Sequence, residues 1–512
     1  MDRFDAAVIG AGPEGLVAAI ALARAGLKTV LLEKGSEAGG RAATREFHPG
    51  FRASPYADEL PAISPRLYRA LDLGRNGAIL APSPASVCIA DEGTSLFFAD
   101  DARNARTVPA HARAGFLALR REIESLQQAI EARAATVPPL PRRRWFQWRR
   151  RMPPGASWPA DGWASASLDD MLRARIPDPL LRLHVAAEAV SGRAASPFLA
   201  GTALNALAPG VGRSGQAAGG LGRLGAALTR IAAHAGVTIR CNAEVAAIEV
   251  KRGRATALTI GAGEEVRAGA YLSALDLRRT FLGLIAWNAL PAAVAKEAGR
   301  FRMAGQAARV LFALDARPDF TRARETPDAA FGPIHVAGSM EALSLAHDSW
   351  RAGVLPAAPL VTLRVPSFAD PRLAPVGKAV MTATVSATPA QLFDGPWTDE
   401  NRMRLAALAL AAAERAMPGV GSLVLAHHTI VGPDIENGIG ATAGDLDGGE
   451  FAPDQAVGFR PLAGAEWRDG RTPITSLYLG GPSSAASPIL LGASGERAAL
   501  AIIADLKAGR RK

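Results

Sequence analysis

Apolar runs of two kinds organise this chain. Residues 6–9 (AAVI) and 29–32 (TVLL) are apolar or β-branched stretches of buried-strand length, and the Ala- and Leu-rich residues between them predict a helix. The same order returns near the other end. LYL, from Leu477, predicts a strand, a loop of small residues follows, and a helix begins near Ser494 with Ala498, Ala499 and Ile502 on its apolar side.

The stretch between carries both periods. RAGFLALRREIESLQQAIEARA has apolar residues three and four apart, which predicts an amphipathic helix, and residues 60–209 read as mainly helical. Residues 222–235 predict another helix, followed by strands in VTIRC, EVAAIEV, ATALTI and AYLSALD; LVTLRV and AVMTATVSA predict strands further on. A chain of 512 residues is too long for one core, so two domains are expected.

Composition then narrows the function. The two cysteines, Cys88 and Cys241, form no CxxC pair, which leaves no disulfide framework, zinc cluster or dithiol motif, and no metal site is expected. The formal charge of +10 comes without a helix-turn-helix, zinc or RNA-binding signature, so no nucleic-acid partner is expected. No apolar run reaches the roughly 20 residues of a spanning helix. A strand begins within the first residues, leaving no room for a leader, and the expected location is the cytoplasm. Residues 142–151 mix Arg with Trp145, Phe146 and Trp148 between prolines, which suits either peripheral contact with a membrane interface or an exposed loop covering a domain edge.

The first junction carries the clearest chemistry. Gly10, Gly12 and Gly15 give G-x-G-x-x-G directly between strand and helix. Gly10 permits the turn, Gly12 lets backbone approach a diphosphate, Gly15 lets the helix pack on the strand, and the helix N-terminus offers N–H groups to the phosphates. Glu33, at the end of the second strand, stands where an acid accepts hydrogen bonds from a ribose. The candidate dinucleotide site is therefore Gly10, Ala11, Gly12, Pro13, Glu14 and Gly15, with Glu33 and Lys34.

Glu33 is followed by Gly39, Gly40 and Arg41. This Glu-x5-GG-R continuation resembles the FAD-binding pattern of the amine oxidase and phytoene desaturase superfamily. The resemblance implies FAD as the cofactor and adds Gly40 and Arg41 along its diphosphate and ribose, Val245 pairing its backbone with the adenine, and Ala274 beside it. It implies too that the last strand and helix fold back beside the first, with Gly481 near the ribityl chain and Gly492, Ala493 and Ser494 turning helix N–H groups toward the flavin. The implied fold is α/β: a Rossmann-like FAD-binding domain in three segments (1–75, 215–285 and 440–512) with an interleaved α+β substrate domain (76–214 and 286–439).

Residues 443–481 resemble one branch closely, the phytoene desaturase-like oxidoreductases that include the pyridine nucleotide-disulfide oxidoreductase domain-containing proteins. Gly444 and Asp445, Gly449 and Glu450, Asp454 and Gln455, Arg460 and Pro461, and the run from Arg471 to Pro473 match that branch's series, as does GG-x-G at 219–222. The branch implies hydride transfer from a small apolar substrate, isoprenoid or lipid-like, to the flavin. Two departures stand out. Where the branch carries THPGGG this chain has Ser484, Ala485, Ala486, Ser487, Pro488 and Ile489, and Gly448 replaces a usual His. Catalytic residues are thus unassigned, with His48 in FHPGF as the one candidate base, while His427, His428, Glu244 and Cys241 are expected to be structural and Glu450 and Arg460 to fix a loop. Two alternatives share the frame: a flavin amine oxidase, disfavoured by only 4 Tyr, and a non-catalytic lipid or prenyl carrier similar to the GDP-dissociation inhibitors, disfavoured by the intact glycine cradle. Oligomeric state stays open.

Overall fold

The structure is a computed structural model that describes residues 3–81, 85–98, 101–134, 161–207, 216–217, 220–320, 330–456, 460–462, 465–484 and 490–509. The basic aromatic stretch 142–151 and the altered loop 485–489 lie outside the described residues.

β1 (Arg3–Ile9) and β2 (Thr29–Leu32) are parallel neighbours, with Ala7 opposite Val30, and α1 (Pro13–Arg24) connects them. Side chains alternate between the two faces of a strand, and that alternation sets the layers. Ala6 and Val8 join a core with Leu16 and Ile20 of α1, Leu228 of the Gly222–His234 helix and Ile502 of the Ala493–Gly509 helix. Ala7 and Ile9 join a second core with Val245, Phe281 and Trp467. A parallel sheet covered on both faces has no solvent side, which is why β2 is buried throughout. The Glu264–Ser273 strand lies parallel on the other side of β1, Leu477–Leu479 lies parallel beyond it, and Thr238–Arg240 flanks β2. N-terminal, middle and C-terminal stretches of the chain therefore meet in one Rossmann-like sheet.

A second sheet has seven strands in the order Val424–Ile430, Ala307–Leu314, Ala379–Ser386, Val361–Arg364, Ile334–Val336, Ala85–Ala90 and Gly93–Phe98. Its last two strands form an antiparallel hairpin inside the region that sequence reads as mainly helical. The run ASVCIA is too short to display a period of its own, and it sits beside long helical stretches that do. The Ala110–Ala134 and Pro179–Val190 helices pack on this hairpin, Phe116, Leu119, Leu183 and Val185 meeting Cys88 and Phe97 in one core. Among the described residues no helix is long and apolar enough to cross a membrane.

Candidate functional site

β1 ends at Ile9, and the chain turns at Gly10, where φ is +92°. Gly12 precedes the first turn of α1, and no side chain caps that helix, so first-turn N–H groups are left for a ligand. A Cβ on Gly15 would lie 1.9 Å from the Gly10 carbonyl oxygen, so the close packing of turn on helix admits only glycine there. Gly12 is the opposite case: a Cβ would meet nothing within 4 Å. It would project into a cleft of about 1080 Å³ at the carboxyl ends of β1 and β2, running from Glu33 and Val245 past Arg41 to Asp445 and Leu491.

Glu33 closes one end of this cleft. Its Oε2 accepts the Ala11 N–H at 2.7 Å and its Oε1 accepts the Gly35 N–H at 2.9 Å, which fixes the carboxylate while each oxygen keeps a lone pair for a further donor. The Gly39 N–H donates to the Ala11 carbonyl at 2.8 Å, and a Cβ on Gly40 would sit 2.9 Å from Gly12 Cα, so the glycine pair lies against the glycine turn. Arg41 Nη1 donates to the Leu446 carbonyl at 2.8 Å. Burial lowers its pKa from the ordinary value, opposed by the carboxylates of Asp447 and Glu14.

Glu14 lines the cleft but gives both carboxylate oxygens to the last helix. Its Oε1 accepts the Gly492 N–H at 2.7 Å and its Oε2 the Gly495 N–H at 2.9 Å, so it caps the Ala493–Gly509 helix. Of the N–H groups expected to face the flavin, that of Gly492 is thus taken up by a carboxylate from the first junction. Burial pushes that carboxyl up to about 7, against the bonds from Gly495 and Gly492. An acid whose folded pKa rises from 4.5 to about 7 contributes stability that is present below pH 4.5 and lost as pH climbs through about 7. Glu14→Gln, which resembles the protonated acid, should gain on the wild type by up to about 3 kcal/mol between pH 5 and 8. Thermal midpoints of both proteins at the two pH values check this; a constant difference would count against it.

Next to Arg41, residues 441–455 form an irregular loop organised by buried charges. Asp445 lines the cleft, and burial, with Asp447 adding to it, pushes its carboxyl up to about 7. Arg460, wholly buried, donates to the carbonyls of Gly449 at 2.5 Å, Asp447 at 3.0 Å, Gln455 at 3.1 Å, Pro482 at 3.1 Å and Glu450 at 3.5 Å. At Gly448 φ is +68°, and a Cβ would fall 2.4 Å from the Pro482 carbonyl carbon, so no side chain of any kind fits where the branch carries its imidazole.

A second cavity of about 1030 Å³ shares Arg41 and Leu446 with the cleft. Asp58, Glu59, Glu188, Arg309, His335 and Arg364 line it beside Leu60, Pro61 and Ile435. Three ion pairs lie along it: Arg309 Nη2 donates to Asp58 Oδ1 at 2.7 Å, Arg364 holds Glu59, and Arg193 Nε donates to Asp447 Oδ2 at 2.8 Å, while Arg41 donates to a carbonyl instead.

Residues 15–413 match the family model described as flavin containing amine oxidoreductase. The chain belongs to the flavin-containing amine oxidoreductase family. It is 29% identical to pyridine nucleotide-disulfide oxidoreductase domain-containing protein 2 of Mus musculus, over 99% of this chain and 94% of the mouse protein. An oxidoreductase from Methanosarcina mazei (16% identity, TM-score 0.57, 99% of this chain and 100% of that one) and cyclohexylamine oxidase from Brevibacterium oxydans (16% identity, TM-score 0.54, 99% and 100%) share the fold. As a member of this flavin family the chain is an FAD-dependent oxidoreductase, and the carrier alternative gives way. The open space at Gly12 and the uncapped first turn of α1 fit a diphosphate there.

Of the residues predicted to hold FAD, Gly10, Gly12, Pro13, Glu14, Glu33, Lys34, Gly40, Arg41, Val245 and Ala274 line the one cleft. Ala11 and Gly15 stand behind it as described. Gly481 does not line it: a Cβ there would fall 2.0 Å from the Leu275 carbonyl oxygen, so its role is close packing, and its neighbour Pro482 forms the wall. Gly492, Ala493 and Ser494 do not line it either, and the Gly492 N–H is given to Glu14. Sequence reasoning missed Asp276, Arg279, Asp445 and Leu491, and it read Glu244 as structural although that residue lines the cleft beside Val245. Asp445 alone carried a signal, through its place in the Gly-Asp pair. His48 packs against Phe51, the rings tilted with centroids 5.5 Å apart, and lines neither the cleft nor the second cavity. His427 and His428 are exposed on the Val424–Ile430 edge strand.

Proposed function

We propose that this FAD-dependent oxidoreductase removes a hydride from a C–H bond of an organic substrate held in the second cavity. The observation that carries the reading is the shared wall: Arg41 and Leu446 border both the cofactor cleft and that cavity. When bound, FAD supplies the two-electron acceptor. The rest falls to the chain. α1 presents first-turn N–H groups to the diphosphate, Gly12 leaves room for it, and Glu33 accepts from the ribose hydroxyls on its remaining lone pairs. Arg41, fixed by the Leu446 carbonyl, stands between the two compartments.

The lining narrows the expected apolar substrate. Leu60, Pro61, Ile435 and Leu446 offer an apolar wall, whereas Glu188, His335 and paired charges line the rest, which supports a carbon frame bearing a polar group. An ammonium group gains little from Asp58 and Glu59, since Arg309 and Arg364 already hold them. The test is the visible absorption of the purified protein followed by anaerobic mixing with isoprenoids, acyl lipids, alcohols and amines. A bound flavin that bleaches with one class is the expected result. A colourless protein that FAD does not reconstitute, or a flavin that none of them bleaches, would overturn the reading.

A further inference from the structure

A third cavity, of about 1740 Å³, shares Gly40 with the cofactor cleft. Its basic residues are all arginines. Arg45 and Arg52 come from the hairpin of strands Arg45–His48 and Phe51–Ala53, Arg223 and Arg230 from the Gly222–His234 helix, and Arg372 from the turn Pro371–Leu373. Glu37 and Asp370 are the acids of the lining, so five arginines against two acids leave a net formal charge of +3.

Pairing within the chain removes little of this charge. Arg372 holds Asp370, Nε donating to Oδ1 at 2.7 Å and Nη2 to Oδ2 at 3.1 Å. Arg45 Nη1 donates to the Tyr56 hydroxyl at 3.3 Å and Arg230 to the Asn76 carbonyl, both neutral acceptors. Arg52 and Arg223 have no hydrogen bond or ion pair among the described residues, and Arg223 acts on Asp370 only at longer range. Glu46 stands opposite Arg52 in the hairpin register without forming an ion pair, and the Glu37 side chain pairs with none of the five. Exposed arginines elsewhere, such as Arg267 and Arg302, hold carboxylates. Four guanidinium groups gathered in one cavity without carboxylates repel one another, and a bound anion relieves that repulsion.

The class of anion follows from the amount of charge, its spread and the kind of cation. Arg223 and Arg230 are seven positions apart on one helix, about 10.5 Å along its axis, so the charge runs along the cavity and is not focused on one point. A monocarboxylate supplies one charge and two oxygens in a plane. Each phosphate carries about −1.5 to −2 near pH 7 and three strong acceptor oxygens. Two phosphates therefore match the charge of the lining and offer planar guanidinium forks acceptors on several sides.

We propose that this third cavity binds a ligand bearing two phosphate groups, supplied by a soluble diphosphate or by a lipid headgroup. The site is separate from the substrate chamber, and its failure would leave the functional reading untouched. It is tested by calorimetric titration of the flavin-loaded full chain, in which the diphosphate region at Gly12 is already occupied, with inorganic diphosphate, inorganic phosphate and succinate. Sedimentation with phosphatidylcholine vesicles, with and without phosphatidylinositol bisphosphate, identifies the source. Diphosphate should bind at least about tenfold more tightly than phosphate or succinate, and Arg52→Ala and Arg223→Ala should each weaken it at least about tenfold. Both residues are exposed, so the variants should keep the wild-type thermal midpoint. The control pair Arg69→Ala and Arg404→Ala removes as much charge from exposed positions outside the cavity and should leave diphosphate binding at the wild-type level. Sedimentation that diphosphate competes away supports a lipid headgroup, and diphosphate binding without sedimentation supports a soluble ligand. Absent diphosphate binding, phosphate or succinate binding as tightly, or equal weakening by the control pair overturns the proposal.

Discussion

Gly12→Val should give a folded protein that has lost its flavin. The backbone at this position, φ −68° and ψ 175°, is one that any residue adopts, and a Cβ there touches no protein atom within 4 Å. The fold therefore has no reason to resist the change. A diphosphate does, because its approach to the first turn of α1 passes through the space the new side chain fills. FAD affinity should fall at least about 100-fold, equivalent to about 3 kcal/mol. Gly15→Ala is the control that separates the two glycines: its Cβ meets the Gly10 carbonyl oxygen at 1.9 Å, so the fold itself should suffer. Circular dichroism and visible absorption of the two purified variants distinguish them. A Gly12→Val protein that stays yellow at wild-type stoichiometry would remove the cleft from the cofactor.

Arg460→Ala should be the most destabilising single change in the second half of the chain, at about 3–5 kcal/mol. The guanidinium is wholly buried, donates to five carbonyls and lies against the carboxylates of Asp445 and Asp447. Its removal strands those acceptors and leaves the two acids side by side with only Arg193 bonded to Asp447. Arg460→Lys should recover only part of the loss, because one ammonium cannot reach five carbonyls spread around a planar fork. Thermal midpoints and resistance to proteolysis across residues 441–455 give the measurement. An alanine variant as stable as the wild type would make the network incidental.

The first junction was legible in the sequence because every local signal there agreed: strand period, glycine spacing, helix period and terminal acid all pointed one way. What escaped notice was non-local. Nothing around Glu14 says that its carboxylate reaches Gly492 and Gly495, since the partners are nearly the length of the chain away. The second cavity draws Asp58 from the first segment, Glu188 from a helix and Arg309, His335 and Arg364 from three strands, none of which forms a motif with another. His48, the candidate base, packs tilted against Phe51 and lies outside the lining of both the cleft and the second cavity. Gly448 was read as a lost histidine, and the backbone gives the cause: Pro482 passes too close for any side chain.

The reach of Glu14 also sets an order of assembly. Its two partners follow it by 478 and 481 positions. At a ribosome's roughly 5–20 residues per second, the first junction waits roughly 20–100 s for them to emerge. During that interval the acid on α1 accepts from no helix, and in its later part, once residues 264–273 have emerged, the Glu264–Ser273 strand offers an unpaired edge where Leu477–Leu479 will later dock. A nascent chain of this protein is thus exposed to edge-to-edge association until translation is almost finished, and a message cut short by its last few dozen codons yields an open, sticky apoprotein.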